Sequence, residues 1–386
     1  MIPRSMALHA LQLSTWFPVV SVTGPRQSGK STLVREVFSD YTYVNLENPQ
    51  TRQQALTDPV GFIRNRPNRL VIDEAQLAPE LFSMIQVASD ESNEPGQYVL
   101  SGSQNFLLLE RITQSLAGRV GLLKLLPLSF LEARTGDGNL TPDSFMLRGG
   151  YPRLYDVDIP LETFYSAYLE TYVERDVRDY LGVKDLSSYR TLLGLCAQCV
   201  GSLINVSRLS SDAGVSRESV NSWLFMLESS YIVFRLGPYH ANLRKRLTKT
   251  PKLYFYDTGL LCYLLRIRTL GQLLTSPYLG VVFENFVIEE RMKTHLNSGR
   301  EPDLYFYRDE NKAEVDLVDL TDPDQAFLAE IKSSQTYRSG FTRYLHTVGD
   351  EIGIPRERRF VVERAEGNFE ADGALVRNIA TWLEMN

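Results

Sequence analysis

The nine residues GPRQSGKST, Gly24 to Thr32, stand between the apolar run FPVVSV and the helical pattern TLVREVF. They match G-x-x-x-x-G-K-[ST] in full, in the strand-then-helix setting that gives this motif its meaning. Such a loop turns backbone N–H groups inward around a phosphate, and the following helix adds the favourable end of its dipole. The chain is therefore expected to be an α/β protein built on a parallel sheet. Gly24, Pro25, Arg26, Gln27, Ser28, Gly29, Lys30, Ser31 and Thr32 are expected to bind ATP, with Lys30 on the β and γ oxygens and Ser31 on Mg2+.

About forty residues on, Leu70-Val71-Ile72-Asp73-Glu74 supplies the second half of such a site. An acidic pair at the carboxyl end of an apolar strand has few structural excuses, because an unpaired buried charge is expensive. Asp73 is expected to hold Mg2+ through water and Glu74 to polarise the attacking water. The strand YVLSGSQNF ends in Ser101, Ser103, Gln104 and Asn105, either γ-phosphate sensors or ordinary helix caps. Arg119, in SLAGRV, is either a finger reaching a neighbouring subunit's phosphate or one half of a surface ion pair.

From residue 15 to about 130, apolar strands alternate with helical segments, the pattern of a parallel sheet covered on both faces. The 386 residues and 43% hydrophobic content allow two or three domains. The turn-rich ARTGDGNLTPDS marks a boundary, giving an ATPase core over 1–135, a helical and winged helix-turn-helix region over 145–265, and a further α/β unit over 275–386. No apolar run approaches the roughly 18 residues a membrane span requires, and the N-terminus lacks a signal-peptide pattern, so a cytoplasmic protein without membrane partners is expected. Cys196 and Cys199 fall on helical periodicity and read as buried thiols, since no second ligand pair for zinc accompanies them. With a net charge of −6, any nucleic-acid surface must be local.

The order Walker A, Asp-Glu, LSGSQ and SLAGR resembles the AAA-type ATPases of the AAA_14 family, and GGYPRL, YLETYVERDV, KLYFYDTGLL and GVVFENFV resemble the DUF4143 domain that accompanies it. The resemblance spans about residues 15 to 335 and implies ATP hydrolysis and assembly into a homo-oligomer.

A second constellation lies near the C-terminus. Asp316 sits in the strand AEVDLVDL, and Glu330 and Lys332 sit two apart in FLAEIKSS, so the latter two share one face of their strand. The turn TDPDQ makes the two strands an antiparallel pair that brings Asp316 beside Glu330, and Glu284 on the preceding helix can complete the cluster. Helix Glu, strand Asp and strand Glu-x-Lys resemble the PD-(D/E)XK nuclease fold. That resemblance implies Mg2+ or Mn2+ held by Asp316, Glu330 and Glu284, with Lys332 orienting water. The sequence departs from the pattern in having Glu314 and Val315, not proline, ahead of Asp316. The bland alternative for Glu-x-Lys is a salt-bridged edge.

Residues 240–252, HANLRKRLTKTPK, place Arg244, Lys245, Arg246, Lys249 and Lys252 on the hairpin expected to form the wing, where they contact DNA phosphates or form a solvated tip. Asp257 reads as a helix cap, and Tyr168, Tyr172 and Tyr180 as packing residues. Three functions follow: ATP-dependent DNA binding with cleavage by the C-terminal unit, a nucleotide-driven switch binding DNA or protein with a catalytically silent nuclease-like unit, and a metabolic P-loop kinase, which leaves the C-terminal half without a role.

Overall fold

The computed structural model describes residues 2–66, 69–102, 108, 111–112, 114–173, 186–240 and 249–385. Five parallel strands form the first sheet: β1 (Val19–Thr23), β2 (Thr42–Asn45), β3 (Leu70–Asp73), β4 (Tyr98–Ser101) and β5 (Val120–Lys124), in the order β2-β3-β4-β1-β5. Every residue of β1, β3 and β4 is buried. Alternate side chains serve opposite layers: Val19, Ile72 and Leu100 pack on one side, Val20, Val71 and Val99 on the other. The register aligns Val22, Ser101 and Asp73 at the carboxyl ends of neighbouring strands, where open parallel sheets place ligands.

The second sheet is mixed and has eight strands in the order β12-β13-β11-β10-β9-β8-β6-β7. These are β6 (Val233–Pro238), β7 (Lys252–Phe255), β8 (Leu304–Arg308), β9 (Glu314–Asp319), β10 (Phe327–Lys332), β11 (Arg359–Glu363), β12 (Phe369–Ala371) and β13 (Ala374–Asn378). The antiparallel pair β6–β7 joins the C-terminal strands through the parallel pairing of Gly237 and Pro238 with Tyr305 and Phe306. One apolar cluster runs from Leu128 to Leu383 and takes in helices Val206–Ala213 and Arg217–Ser229 as well as the C-terminal sheet. Among the described residues, no helix is long and apolar enough to cross a membrane.

The boundary segment ARTGDGNLTPDS packs against this core: Ala133 and Leu140 are buried, and Asp143 pairs with Arg364 at 2.6 Å. Two elements go beyond the sequence reading. The last stretch holds the hairpin β12–β13 before a short helix, because Asp372 and Gly373 adopt φ of 48° and 74°, the left-handed pair that a tight two-residue hairpin turn needs. An additional helix, Pro49–Thr57, starts at the Asn48 cap with proline in its first turn.

The helical region is tied together at Asp257, 2% exposed, which caps helix Thr258–Leu264 through Leu260 N–H at 2.7 Å, as its place before TGLL implies. The same carboxylate accepts Gly150 N–H at 2.7 Å and the Tyr165 hydroxyl at 2.8 Å. Glycine is needed beside it, since a Cβ on Gly150 would lie 2.3 Å from the Leu128 carbonyl oxygen. Asp257→Ala strands the buried Gly150 and Leu260 N–H donors, while the Tyr165 hydroxyl keeps the Arg148 carbonyl at 2.8 Å, and should destabilise the protein by at least about 2 kcal/mol in chemical denaturation.

Candidate functional site: a phosphate loop and a buried carboxylate cluster

The loop after β1 needs backbone that side chains resist. Gly24 and Gly29 have φ of 148° and 94°, and a Cβ on Gly24 would lie 2.1 Å from the Leu125 carbonyl oxygen. Lys30, 6% exposed, opens the helix Lys30–Val37 and folds back to donate to the carbonyl oxygens of Gly24 at 3.0 Å and Pro25 at 2.7 Å. The ammonium is thus held at the mouth of the loop. Ser28 is fully buried with no hydrogen-bond partner for its hydroxyl, and Ser31 and Thr32 are exposed on the first turn. An unsatisfied buried hydroxyl beside a glycine-framed cradle and a lysine fits a phosphate group.

Asp73 is 2% exposed and accepts from the Ser101 hydroxyl at 2.6 Å and the Tyr43 hydroxyl at 2.5 Å. Burial, and then the hydrogen bond to Asp73, pushes the Tyr43 phenol up to about 12, so it stays a donor. Glu74 follows in a left-handed turn at φ 55°, its carboxylate receiving Gln76 Nε2 at 2.5 Å. Tyr43 and Gln76 escaped the sequence reading, although Gln76 stands two residues after Glu74 and the sheet order would have found Tyr43. Arg4 escaped it with no signal at all. Its guanidinium donates to the Ser28 and Leu126 carbonyls at 2.7 Å each and pairs with Glu132 at 3.3 Å.

Arg119 makes a two-point pair with Asp90, at 2.5 and 2.9 Å. A role at another subunit's phosphate would first have to break it. Ser103, Gln104 and Asn105 lie outside the described residues, as do Arg244, Lys245 and Arg246. Lys249 is exposed. Burial pushes the Cys196 thiol up to about 12, which leaves it an unreactive core group.

The C-terminal constellation does come together. The long helix Leu279–Asn297 carries Glu284, and an irregularity in the β8–β9 ladder, where Tyr305 and Tyr307 face Val318 and Val315, sets Asp316 beside β10. Ile331 N–H donates to Asp316 Oδ2 at 2.8 Å, and Lys332 Nζ lies 3.1 Å from that oxygen and 2.6 Å from Glu330 Oε1. A second lysine enters from β7. Lys252 Nζ, 3% exposed at its side chain, lies 2.7 Å from Glu314 Oε1 and 3.4 Å from Glu284 Oε1, while the Tyr254 hydroxyl donates to Glu284 at 2.5 Å.

Burial, and then Asp316, pushes the Glu330 carboxyl up to about 8, and the same two causes in that order raise Glu284. Burial works to lower Lys332, but Asp316 and Glu330 hold it above its ordinary value. In this structure the carboxylates expected to hold metal are paired with ammonium groups, Glu284 with Lys252, and Asp316 and Glu330 with Lys332. Among the described residues no group of three or more Asp, Glu, His or Cys side chains is placed to hold a metal ion.

Residues 17–134 match the AAA domain model AAA_14, residues 279–382 match the domain of unknown function DUF4143, and residues 141–271 match a further one, DUF8612. An uncharacterised protein of Mycobacterium tuberculosis is 33% identical over 327 residues, covering 83% of this chain and 71% of its own length. An uncharacterised protein of Haemophilus influenzae is 24% identical over 271 residues, covering 62% and 67% respectively. The Walker-type ATPase of Pyrococcus abyssi aligns at 16% identity with a TM-score of 0.44, over 68% of this chain and 94% of its own.

The raised Glu330 gives a pH signature. Its carboxyl ionises at a higher pH folded than unfolded, so its contribution is full below the ordinary value of 4.5 and is lost as pH rises through about 8. Melting temperatures of wild type and Glu330→Gln should therefore diverge between about pH 5 and about pH 9, with wild type losing ground as pH rises.

Proposed function

The chain belongs to the family of AAA-domain proteins with a C-terminal domain of the DUF4143 kind, and we propose that it is an ATP-hydrolysing, DNA-binding switch whose carboxylate cluster is closed in this conformation. The observation that carries the ATPase half is the loop with its unsatisfied Ser28 hydroxyl, its Lys30 ammonium and the Asp73–Glu74 pair one strand beyond β4. Lys30 exchanges the Gly24 and Pro25 carbonyls for phosphate oxygens. Asp73, fixed by Ser101 and Tyr43, turns toward the phosphates, and Glu74, held by Gln76, orients the attacking water. Ser31 and Asp73 would hold the Mg2+ that accompanies ATP, which would supply positive charge beside the phosphoryl oxygens.

DNA is the partner that the basic hairpin suits. Lys249 is exposed at its end and Arg217 at the start of helix Arg217–Ser229, in a helix, helix, strand, strand order compatible with a winged helix. Arg208 on the neighbouring helix is engaged by Asp212 at 3.5 Å. Contacts of this kind go to phosphates and are sensitive to salt. Assembly into a homo-oligomer belongs to the same reading, with Arg119 released from Asp90 at the subunit junction.

A second reading, metal-dependent DNA cleavage, is favoured by one observation: Asp316, Glu330, Lys332 and Glu284 converge from three elements. One set of assays separates the two. Glu74→Gln should retain ATP binding and lower turnover at least about 100-fold, and Lys30→Ala should lose binding. DNA should stimulate turnover, with binding weakened by salt. On linear, supercoiled, single-stranded and branched DNA with Mg2+ or Mn2+, wild type is expected to cut nothing. Cutting that disappears in Asp316→Asn would establish the second reading instead, and absence of both ATP turnover and DNA binding would contradict the first.

A further inference from the structure

The carboxylate cluster has more acids than its motif requires, and two cations that the motif does not contain. Glu284, Glu314, Asp316 and Glu330 are met by Lys252, Lys332 and Arg308, the last 3.3 Å from Glu314. Lys332 is fully engaged with Asp316 and Glu330. Lys252 is different in origin, since it comes from the first residue of β7, in the hairpin arm that follows the basic tip.

Its placement is specific. The Lys252 side chain is 3% exposed, its ammonium 5.1 Å from the centroid of the Phe306 ring. Tyr254, on the same face of β7 by strand alternation, donates to the Glu284 oxygen that Lys252 also approaches. Backbone closes the other side: Gly201 N–H donates to the Leu253 carbonyl at 2.9 Å, and a Cβ on Gly201 would lie 3.6 Å from the Glu284 carboxylate. A lysine so enclosed keeps its charge only because carboxylates surround it; Glu314 also meets Arg308 at 3.3 Å, while Glu284 is otherwise met by the Tyr254 hydroxyl.

We propose that Lys252 is the built-in cation of this cluster, standing between Glu284 and Glu314 where a divalent ion would otherwise bind, and that it holds the cluster closed to metal. This rests on the reading of the C-terminal domain as closed in the present conformation, and it assigns the closure to one residue of the hairpin. Metal and Lys252 compete for the same oxygens. Without the ammonium, the cluster would carry excess negative charge in a nearly dry site, an arrangement that attracts a hard divalent cation.

The test is Mn2+ binding to the nucleotide-free, full-length protein, followed by calorimetry for wild type, Lys252→Met, Lys252→Arg and the double variant Lys252→Met with Asp316→Asn. Lys252→Met should bind Mn2+ at least about tenfold more tightly than wild type, a gain that the double variant loses and Lys252→Arg never acquires. Equal affinity in wild type and Lys252→Met would overturn the proposal. Should Lys252→Met prove unstable, its melting temperature is the second readout: Mn2+ should raise it while leaving wild type unchanged, and no rise would equally overturn the proposal. DNA cleavage is scored separately, so that a Lys252→Met protein that binds Mn2+ but cuts nothing upholds the role of Lys252 and removes only the cleavage reading.

Discussion

The structure depends on charges buried inside the helix Leu279–Asn297. Glu289, Glu290, Arg291, Lys293 and His295 are each less than a tenth exposed, in a helix whose Val282, Phe283, Phe286, Val287 and Ile288 are fully buried. An isolated buried ion would cost several kcal/mol; burial pushes the Glu289 carboxyl well up and leaves its oxygens without hydrogen bonds, whereas the other four groups find partners that hold their surroundings in place. Glu290 accepts Phe130 N–H at 2.8 Å and pairs with Lys293 at 2.9 Å, and Lys293 also donates to the Leu128 carbonyl at 3.2 Å. Arg291 and His295 grip Asp319 of β9 at 2.6 and 2.7 Å, and Asn285 hydrogen-bonds both the N–H and the carbonyl of Phe255 in β7. One helix therefore fixes the exit from the ATPase domain, the hairpin and the C-terminal sheet, and sets Glu284 in the carboxylate cluster.

The same helix reaches the nucleotide domain. Met292 and Leu296 pack in the apolar layer that holds Val20, Val22 and Leu33, beside Tyr231. The Tyr231 hydroxyl lies 3.0 Å from the Thr23 hydroxyl, one residue before Gly24 of the phosphate loop, and Lys124 of β5 pairs with Glu301 at 2.6 Å. Arg4 adds a second tie, from the Ser28 carbonyl to Glu132, which in turn accepts Ser129 N–H. Buried ion pairs contribute little net stability, but breaking one partner is costly, which makes such ties stiff rather than strong.

Sequence carried the local motifs well and the long-range closures poorly. The phosphate loop, the Asp73–Glu74 pair and the alternating elements around them were legible because each is contiguous and its chemistry dictates residue type at fixed spacing. The meeting of Asp316, Glu330 and Lys332 was legible because strand periodicity and a turn fix it. Lys252 was read with the rest of the basic hairpin, as a DNA-phosphate contact or part of a solvated tip, since nothing in HANLRKRLTKTPK distinguishes the residue that enters the cluster from those that do not. Arg4, Tyr231 and the buried charges of GVVFENFVIEERMKTHL were opaque for a related reason. Their partners lie far away in sequence, and charged residues at helical spacing read as a solvated face until the packing is seen. The hairpin at Asp372-Gly373 was legible in principle, through its turn residues.

The central claim is that the nucleotide domain and the C-terminal sheet form one cooperative body joined by this helix. Native-state amide hydrogen exchange, followed in β1 and in β10 with and without MgATP, tests it most directly. A ligand bound to one cooperative body stabilises all of it, so the most slowly exchanging amides of Val19–Thr23 and Phe327–Lys332 should gain protection by the same free energy. Gain confined to Val19–Thr23, with Phe327–Lys332 unchanged, would show that the two halves open independently and would contradict the account.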